Sequence, residues 1–144
     1  MTSSQDTYDS RRGNKRNTPP ATIGTPSPRQ ASPTEAEERA AKIRALNDRL
    51  RTTGRGGMTV ITNGVAALGL ERVREVFDAV AGFTDFSSDN DPWGEHDCAV
   101  LTVGTTSVIW KLDYYDRTRR YRSPDPADPK VTVRVLTIMT AEEY

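Results

Sequence analysis

Cys98-Ala99-Val100-Leu101-Thr102-Val103-Gly104-Thr105-Thr106-Ser107-Val108-Ile109-Trp110-Lys111-Leu112-Asp113-Tyr114-Tyr115 is the stretch on which the fold turns. Cys98, Val100 and Thr102 alternate with Ala99, Leu101 and Val103, and both sets are apolar enough to predict an interior strand. Gly104-Thr105-Thr106 reads as a hairpin turn. Val108, Trp110, Leu112 and Tyr114 then alternate with Ile109, Lys111, Asp113 and Tyr115, and Trp110 is expected in the core. Downstream, Val131, Val133, Val135, Thr137 and Met139 alternate with Thr132, Arg134, Leu136 and Ile138. Three long strands joined by short or turn-rich links predict an antiparallel sheet with helices over one face.

Upstream, the period changes from two to 3.6. Leu70, Val73, Val76, Phe77 and Val80 recur at helical spacing with charges between them and Gly82 after them, which predicts the main core helix. Met58-Thr59-Val60-Ile61-Thr62 is a short β-branched strand ended by Asn63-Gly64. Before it, Ser32-Pro33-Thr34-Glu35 forms a capping box with a first-turn proline. Ala36, Ala40, Ile43, Leu46 or Asn47, and Leu50 then mark a narrow stripe to about Thr52, where Arg49, Arg51, Gly54 and Arg55 suit a helix end. The expectation is an α+β domain over residues 34–144. Its two helices pack on a small, mostly antiparallel sheet of about four strands, in the order α-β-α-β-β-β. Residues 1–33 hold five of the nine prolines and one large aliphatic residue after Met1, Ile23, so they are expected to be a disordered leader.

Composition narrows the function. The 144 residues carry 20 basic and 20 acidic side chains, a balance unlike a dedicated nucleic-acid binder. The leader alone is +3 and the remainder −3. Apolar residues make up 35%, below the usual ~45–50%. One cysteine, Cys98, excludes an internal disulfide and a Cys-rich zinc cluster, and one histidine, His96, excludes sites built on two imidazoles. No apolar run approaches the ~18–20 residues of a membrane helix, and no secretion signal is visible, which points to the cytoplasm. No cofactor is implied.

Three segments can carry chemistry. Residues 85–97 collect Asp85, Asp89, Asp91, Glu95 and Asp97 with Trp93 and His96, and clustered carboxylates need a cation, a basic partner or solvent to screen them. Asp89, Asp91 and Gly94 overlap the start of a calcium loop, but Val100 stands where a bidentate glutamate is required. Asp91, Glu95, His96 and Asp97, with Asp113 as a further carboxylate, remain a candidate divalent-metal site. Otherwise these side chains cap turns. Lys111-Leu112-Asp113-Tyr114-Tyr115-Asp116 runs into Arg117, Arg119, Tyr121, Arg120 and Arg122, a mixture that suits a protein interface, phosphate binding with base stacking, or internal pairing with the acidic loop. Ser123-Pro124-Asp125-Pro126-Ala127-Asp128-Pro129 is a stiff connection. Cys98, two residues from His96 in an apolar strand, reads as a buried structural cysteine.

Lys42-Ile43-Arg44-Ala45-Leu46-Asn47-Asp48, Asn90-Asp91-Pro92-Trp93-Gly94-Glu95-His96-Asp97, Trp110-Lys111-Leu112-Asp113-Tyr114-Tyr115-Asp116, Ser123-Pro124-Asp125-Pro126-Ala127-Asp128-Pro129 and Arg134-Val135-Leu136-Thr137-Ile138-Met139 recur in order. Over about residues 39–144 the chain resembles the bacterial family called domain of unknown function 3768, typical of alphaproteobacterial chromosomes and plasmids. It departs from that pattern in its long leader and at Cys98, where an aromatic is expected. The resemblance implies a mobile-element accessory protein, a setting in which small proteins act on host or defence proteins, and it implies no activity, cofactor or catalytic residue. The expected function is a non-catalytic protein-binding module, such as an anti-defence inhibitor. Its surface combines Asp89, Asp91, Trp93 and Glu95 with Tyr114, Tyr115, Arg119 and Tyr121. The alternatives are a metal-dependent hydrolase using Asp91, Glu95, His96 and Asp97, and a nucleic-acid binder using Arg117, Arg119, Arg120 and Arg122.

Overall fold

The computed structural model describes residues 34–144. The expected leader over residues 1–33, and the Ser32-Pro33 part of the first capping box, lie outside the described residues. Glu35–Tyr144 forms one compact unit. Its elements are α1 (Glu35–Thr53), β1 (Met58–Ile61), a one-turn helix α2 (Asn63–Ala66), α3 (Leu70–Gly82), β2 (Cys98–Val103), β3 (Thr106–Tyr115) and β4 (Val133–Thr140), followed by a 3-10 turn at Ala141–Glu143. This is the expected α+β order with one addition: Asn63-Gly64 opens α2 instead of merely ending a strand.

The four strands lie in the order β1-β4-β3-β2. β2 and β3 pair antiparallel from Cys98↔Lys111 to Val103↔Thr106, and Gly104, with φ 65°, supplies the left-handed residue that the two-residue turn needs. β3 and β4 pair antiparallel with Trp110 opposite Ile138, while β1 adds parallel to β4. β2 is therefore an edge strand, not the interior strand its composition suggests. Its neighbour β3 gives its other side to β4, and no strand among the described residues pairs with the free side of β2.

Helices pack on one face of the sheet. There Leu50, Val65, Val76 and Val80 meet Ala99, Val103, Val108, Trp110, Leu112, Leu136 and Ile138. Trp110 is fully buried, with Phe83 and Phe86 edge-on to its ring at 6.1 Å. The expected stripe of α3 is half right. Val76 and Val80 are buried, but Leu70 is 71% exposed and Phe77 is 40% exposed, because the helix buries a narrower arc than its apolar residues span. Gly57 is required where the chain leaves α1 for β1, since an added Cβ would overlap the Arg134 carbonyl. No helix among the described residues is long and apolar enough to cross a membrane.

Candidate binding surface

The inner face of α1 is built on polar side chains. Asn47 is fully buried between Ile43 and Leu50, one turn away on either side. Its Nδ2 donates to the Glu95 carbonyl (2.9 Å) and the Tyr114 hydroxyl (2.8 Å), and its Oδ1 accepts from Arg134 Nε (2.6 Å). Arg134 occupies the core face of β4, 1% exposed, with its guanidinium 5.1 Å from the centre of the Tyr114 ring and Nη2 donating to the Pro126 carbonyl. Tyr114 in turn donates to Glu95 Oε1 (3.0 Å). Burial pushes the Tyr114 hydroxyl above the ordinary tyrosine range, and the neighbouring Glu95 carboxylate adds to this. Burial also lowers Arg134 from the usual guanidinium value, opposed by Tyr114 and Glu95.

A second cluster lies one turn further along α1. Arg51, placed by the sequence among the charges at its own helix end, instead reaches the end of α3. Its Nη1 donates to the carbonyls of Val80 (2.8 Å), Ala81 (3.1 Å) and Phe83 (3.1 Å), supplying a cation at the negative end of the α3 dipole. Its Nη2 meets Asp48 Oδ1 at 2.9 Å, and its guanidinium lies 5.1 Å from the Trp110 ring centre. Asp48 Oδ1 also faces His96 Nδ1 at 2.9 Å. The His96 ring stacks on Phe86 at 3.6 Å, with Asp91 Oδ2 3.7 Å from Nε2. His96 has φ 53°, a left-handed backbone held by its own N–H donating to Asp91 Oδ1 (3.0 Å). Desolvation raises the Asp91 carboxyl above the ordinary aspartate value, against the opposing pull of the His96 N–H and ring.

These contacts decide what the acidic loop is. Asp91 and Glu95 are buried, at 7% and 9% exposure, and they organise the loop internally. Trp93 is half-buried and Asp89 is exposed. His96 lies between Asp48 at Nδ1 and Asp91 at Nε2, while Glu95 turns away to Tyr114, so Glu95 does not join His96 and Asp91 at one point. Among the described residues no group of three or more His, Cys, Asp or Glu side chains is arranged to hold a metal ion. Cys98 is exposed, not buried, and makes no hydrogen bond to His96. Asp113 pairs with Lys111 at 3.2 Å.

The arginine segment is placed differently. Residues 116–122 form a tip between β3 and the proline-rich connection. It is closed by Asp116 N–H to the Tyr121 carbonyl (2.8 Å) and by a bridge between Tyr115 and Arg122. Asp116 Oδ1 accepts from the Thr118 hydroxyl (2.7 Å), the Thr118 N–H (3.1 Å) and the Arg120 N–H (3.2 Å). These bonds lower the Asp116 carboxyl below its usual value, the Thr118 hydroxyl most of all. Arg119 takes φ 61°, a conformation rare outside glycine and asparagine, and its Nη1 lies 3.3 Å from Met58 Sδ. Arg117, Arg119, Arg120 and Arg122 are all exposed, Tyr121 is 70% exposed and Tyr115 is half-buried at the base. The expected internal pairing with the acidic loop does not occur: among the described residues none of the four arginines makes an ion pair. The proline-rich connection is anchored by Thr132 Oγ1 donating to the Asp125 carbonyl (2.9 Å).

Fold and surface together define a small α+β protein in which Asp91 and Glu95 turn inward and the four arginines of the 116–122 tip point outward. The family described as protein of unknown function (DUF3768) matches residues 61–143, more than half of the chain, and the protein belongs to that family. The matched region contains Glu95, His96, Tyr114 and Arg134 but not their α1 partners Asn47 and Asp48. The comparison with curated proteins found no match, and neither did the comparison with solved structures.

Proposed function

We propose that this protein is a non-catalytic protein-binding module that docks through the tip of residues 116–122 onto an acidic face of its partner. The observation that carries the reading is four exposed arginines, without an ion pair among the described residues, on a loop stiffened by Asp116. Arginine and tyrosine held in advance lose little freedom on binding and are the residue types that anchor interfaces. Of the wider surface that the sequence suggests, Asp91, Glu95 and Tyr114 are committed to internal bonds. Asp89 and the half-buried Trp93 are peripheral to this reading, which rests on Tyr115, Arg119 and Tyr121 with the neighbouring arginines. The mobile-element setting carried by the family resemblance makes a host or defence protein our proposed partner.

The test is a tagged pull-down of the full chain from nuclease-treated native lysate, beside a variant with Arg117, Arg119, Arg120 and Arg122 changed to Gln. A near-stoichiometric protein lost with the variant, and released progressively by salt, is the expected result. Recovery unaffected by the substitutions would overturn the assigned surface. Capture seen only when the nuclease treatment is omitted, with nucleic acid and no protein in the eluate, would replace the protein partner with a phosphate backbone.

A further inference from the structure

Among the described residues nothing pairs with the outer side of β2, and that side calls for a partner strand. Leu112 N–H donates to the Asp97 carbonyl (2.7 Å), which fixes the ladder phase. Asp97, Ala99, Leu101 and Val103 aim their backbone groups at β3, so those of Cys98, Val100 and Thr102 point away from the sheet. Proteins blunt such edges with lysine, proline, bulges or inward charges. Cys98–Val103 has none of these: six uncharged residues run in unbroken register, and Val100 is 61% exposed. The other edge, β1, is only four residues long and has Arg119 packed against Met58 at its start.

We propose that β2 pairs antiparallel with β2 of a second copy of this chain, joining two sheets into one of eight strands. The phase of the free backbone groups selects the register. Val100 lies opposite Val100 on the two-fold axis and Cys98 opposite Thr102, so every outward group finds a partner and the most exposed sheet valine covers itself. Charge agrees with this register. Asp97 then lies opposite Val103 of the other copy, next to Gly104, and the Arg72 guanidinium packs directly against Gly104. Asp97 and Arg72 share the helix-covered face, so each end of the new ladder brings the Asp97 carboxylate beside a guanidinium that already pairs with Glu75 of its own chain at 2.7 Å. This inference is independent of the tip and its partner.

Light scattering and sedimentation of the full chain test it. The expected mass is about twice the 16.0 kDa of the chain. Val100→Lys, which sets two ammonium groups across the axis, is expected to return the single-chain mass while keeping the far-UV spectrum. In a Cys98→Ser background, Val100→Cys is expected to form a symmetric disulfide several-fold faster than Thr102→Cys, because directly opposed Cα atoms lie about 5.5 Å apart. A single-chain mass at high micromolar protein would overturn the proposal. So would a dimer indifferent to Val100→Lys, or equal cross-linking at positions 100 and 102.

Discussion

Replacing Asn47 with alanine tests how far a buried amide organises this domain. The side chain is fully buried and makes three hydrogen bonds, to the Glu95 carbonyl, the Tyr114 hydroxyl and Arg134 Nε. Two neutral bonds at about 1 kcal/mol each and one to a charged donor at about 2 kcal/mol give a loss of about 4 kcal/mol. The orphaned Arg134 Nε and Glu95 carbonyl stay buried, so water cannot restore that loss cheaply. A domain of this size holds only about 5–15 kcal/mol in total. Urea unfolding followed by far-UV circular dichroism is the assay. The midpoint is expected to fall by about 2 M at an unchanged slope of about 2 kcal/mol/M. Arg49→Ala, on the exposed side of the same helix, is expected to stay within about 0.5 kcal/mol of the parent. A loss under about 1 kcal/mol for Asn47→Ala would refute the network as a structural centre.

Arg51→Met keeps much of the packing against Trp110 but removes the cation from the end of α3. It is expected to cost about 2–3 kcal/mol and to speed amide exchange in the last turn of that helix. Asp91 carries a carboxyl raised by burial, so the folded state takes up its proton before the unfolded state as pH falls toward 3.8. Asp91→Asn, whose amide oxygen can still accept from His96 N–H, is therefore expected to be more stable than the parent near neutral pH. It should lose that advantage in acid; a pH series of thermal melts reads the crossing. Glu143 has the opposite sign. Bonds from Thr62, Thr140 and Gly64 hold its carboxyl down at about 2, so its contribution is present above 4.5 and vanishes as pH falls to about 2. The parent and Glu143→Gln are expected to converge over that interval. Asp116→Ala releases the tip without touching an arginine, and is expected to weaken partner capture several-fold while the melting temperature shifts by no more than a few degrees.

Much of the fold could be read from periodicity. β3 and β4 follow their alternation, and α3 follows its valines, because burial on one face leaves a repeating trace in the residue types. The extra turn of α2 leaves no such trace: four residues are too few for a period. β2 lies at the sheet edge although its composition reads as interior, and the reason is physical. An apolar strand reads as central, yet this one is apolar at an edge, and composition alone does not distinguish a covered strand from one awaiting cover. The candidate site is hardest to read in sequence where polar residues face inward. Asn47 sits on the stripe of α1 with Ile43 and Leu50, and Arg134 alternates in phase with Leu136 and Ile138. Spacing therefore pointed both into the core while their chemistry argued for the surface. The carboxylates of Asp91 and Glu95 follow from the same confusion. An acidic run looks like a solvated patch until the partners that neutralise it, drawn from α1 and β3, are known.

Quantitative capture from nuclease-treated native lysate separates binding through the arginine tip, as proposed, from binding through the acidic loop. The parent is run beside two variants, one with Arg117, Arg119, Arg120 and Arg122 changed to Gln and one with Asp85 and Asp89 changed to Asn. The account predicts that the partner disappears from the first variant and persists with the second. Loss with the acidic-loop variant and persistence with the tip variant would contradict it.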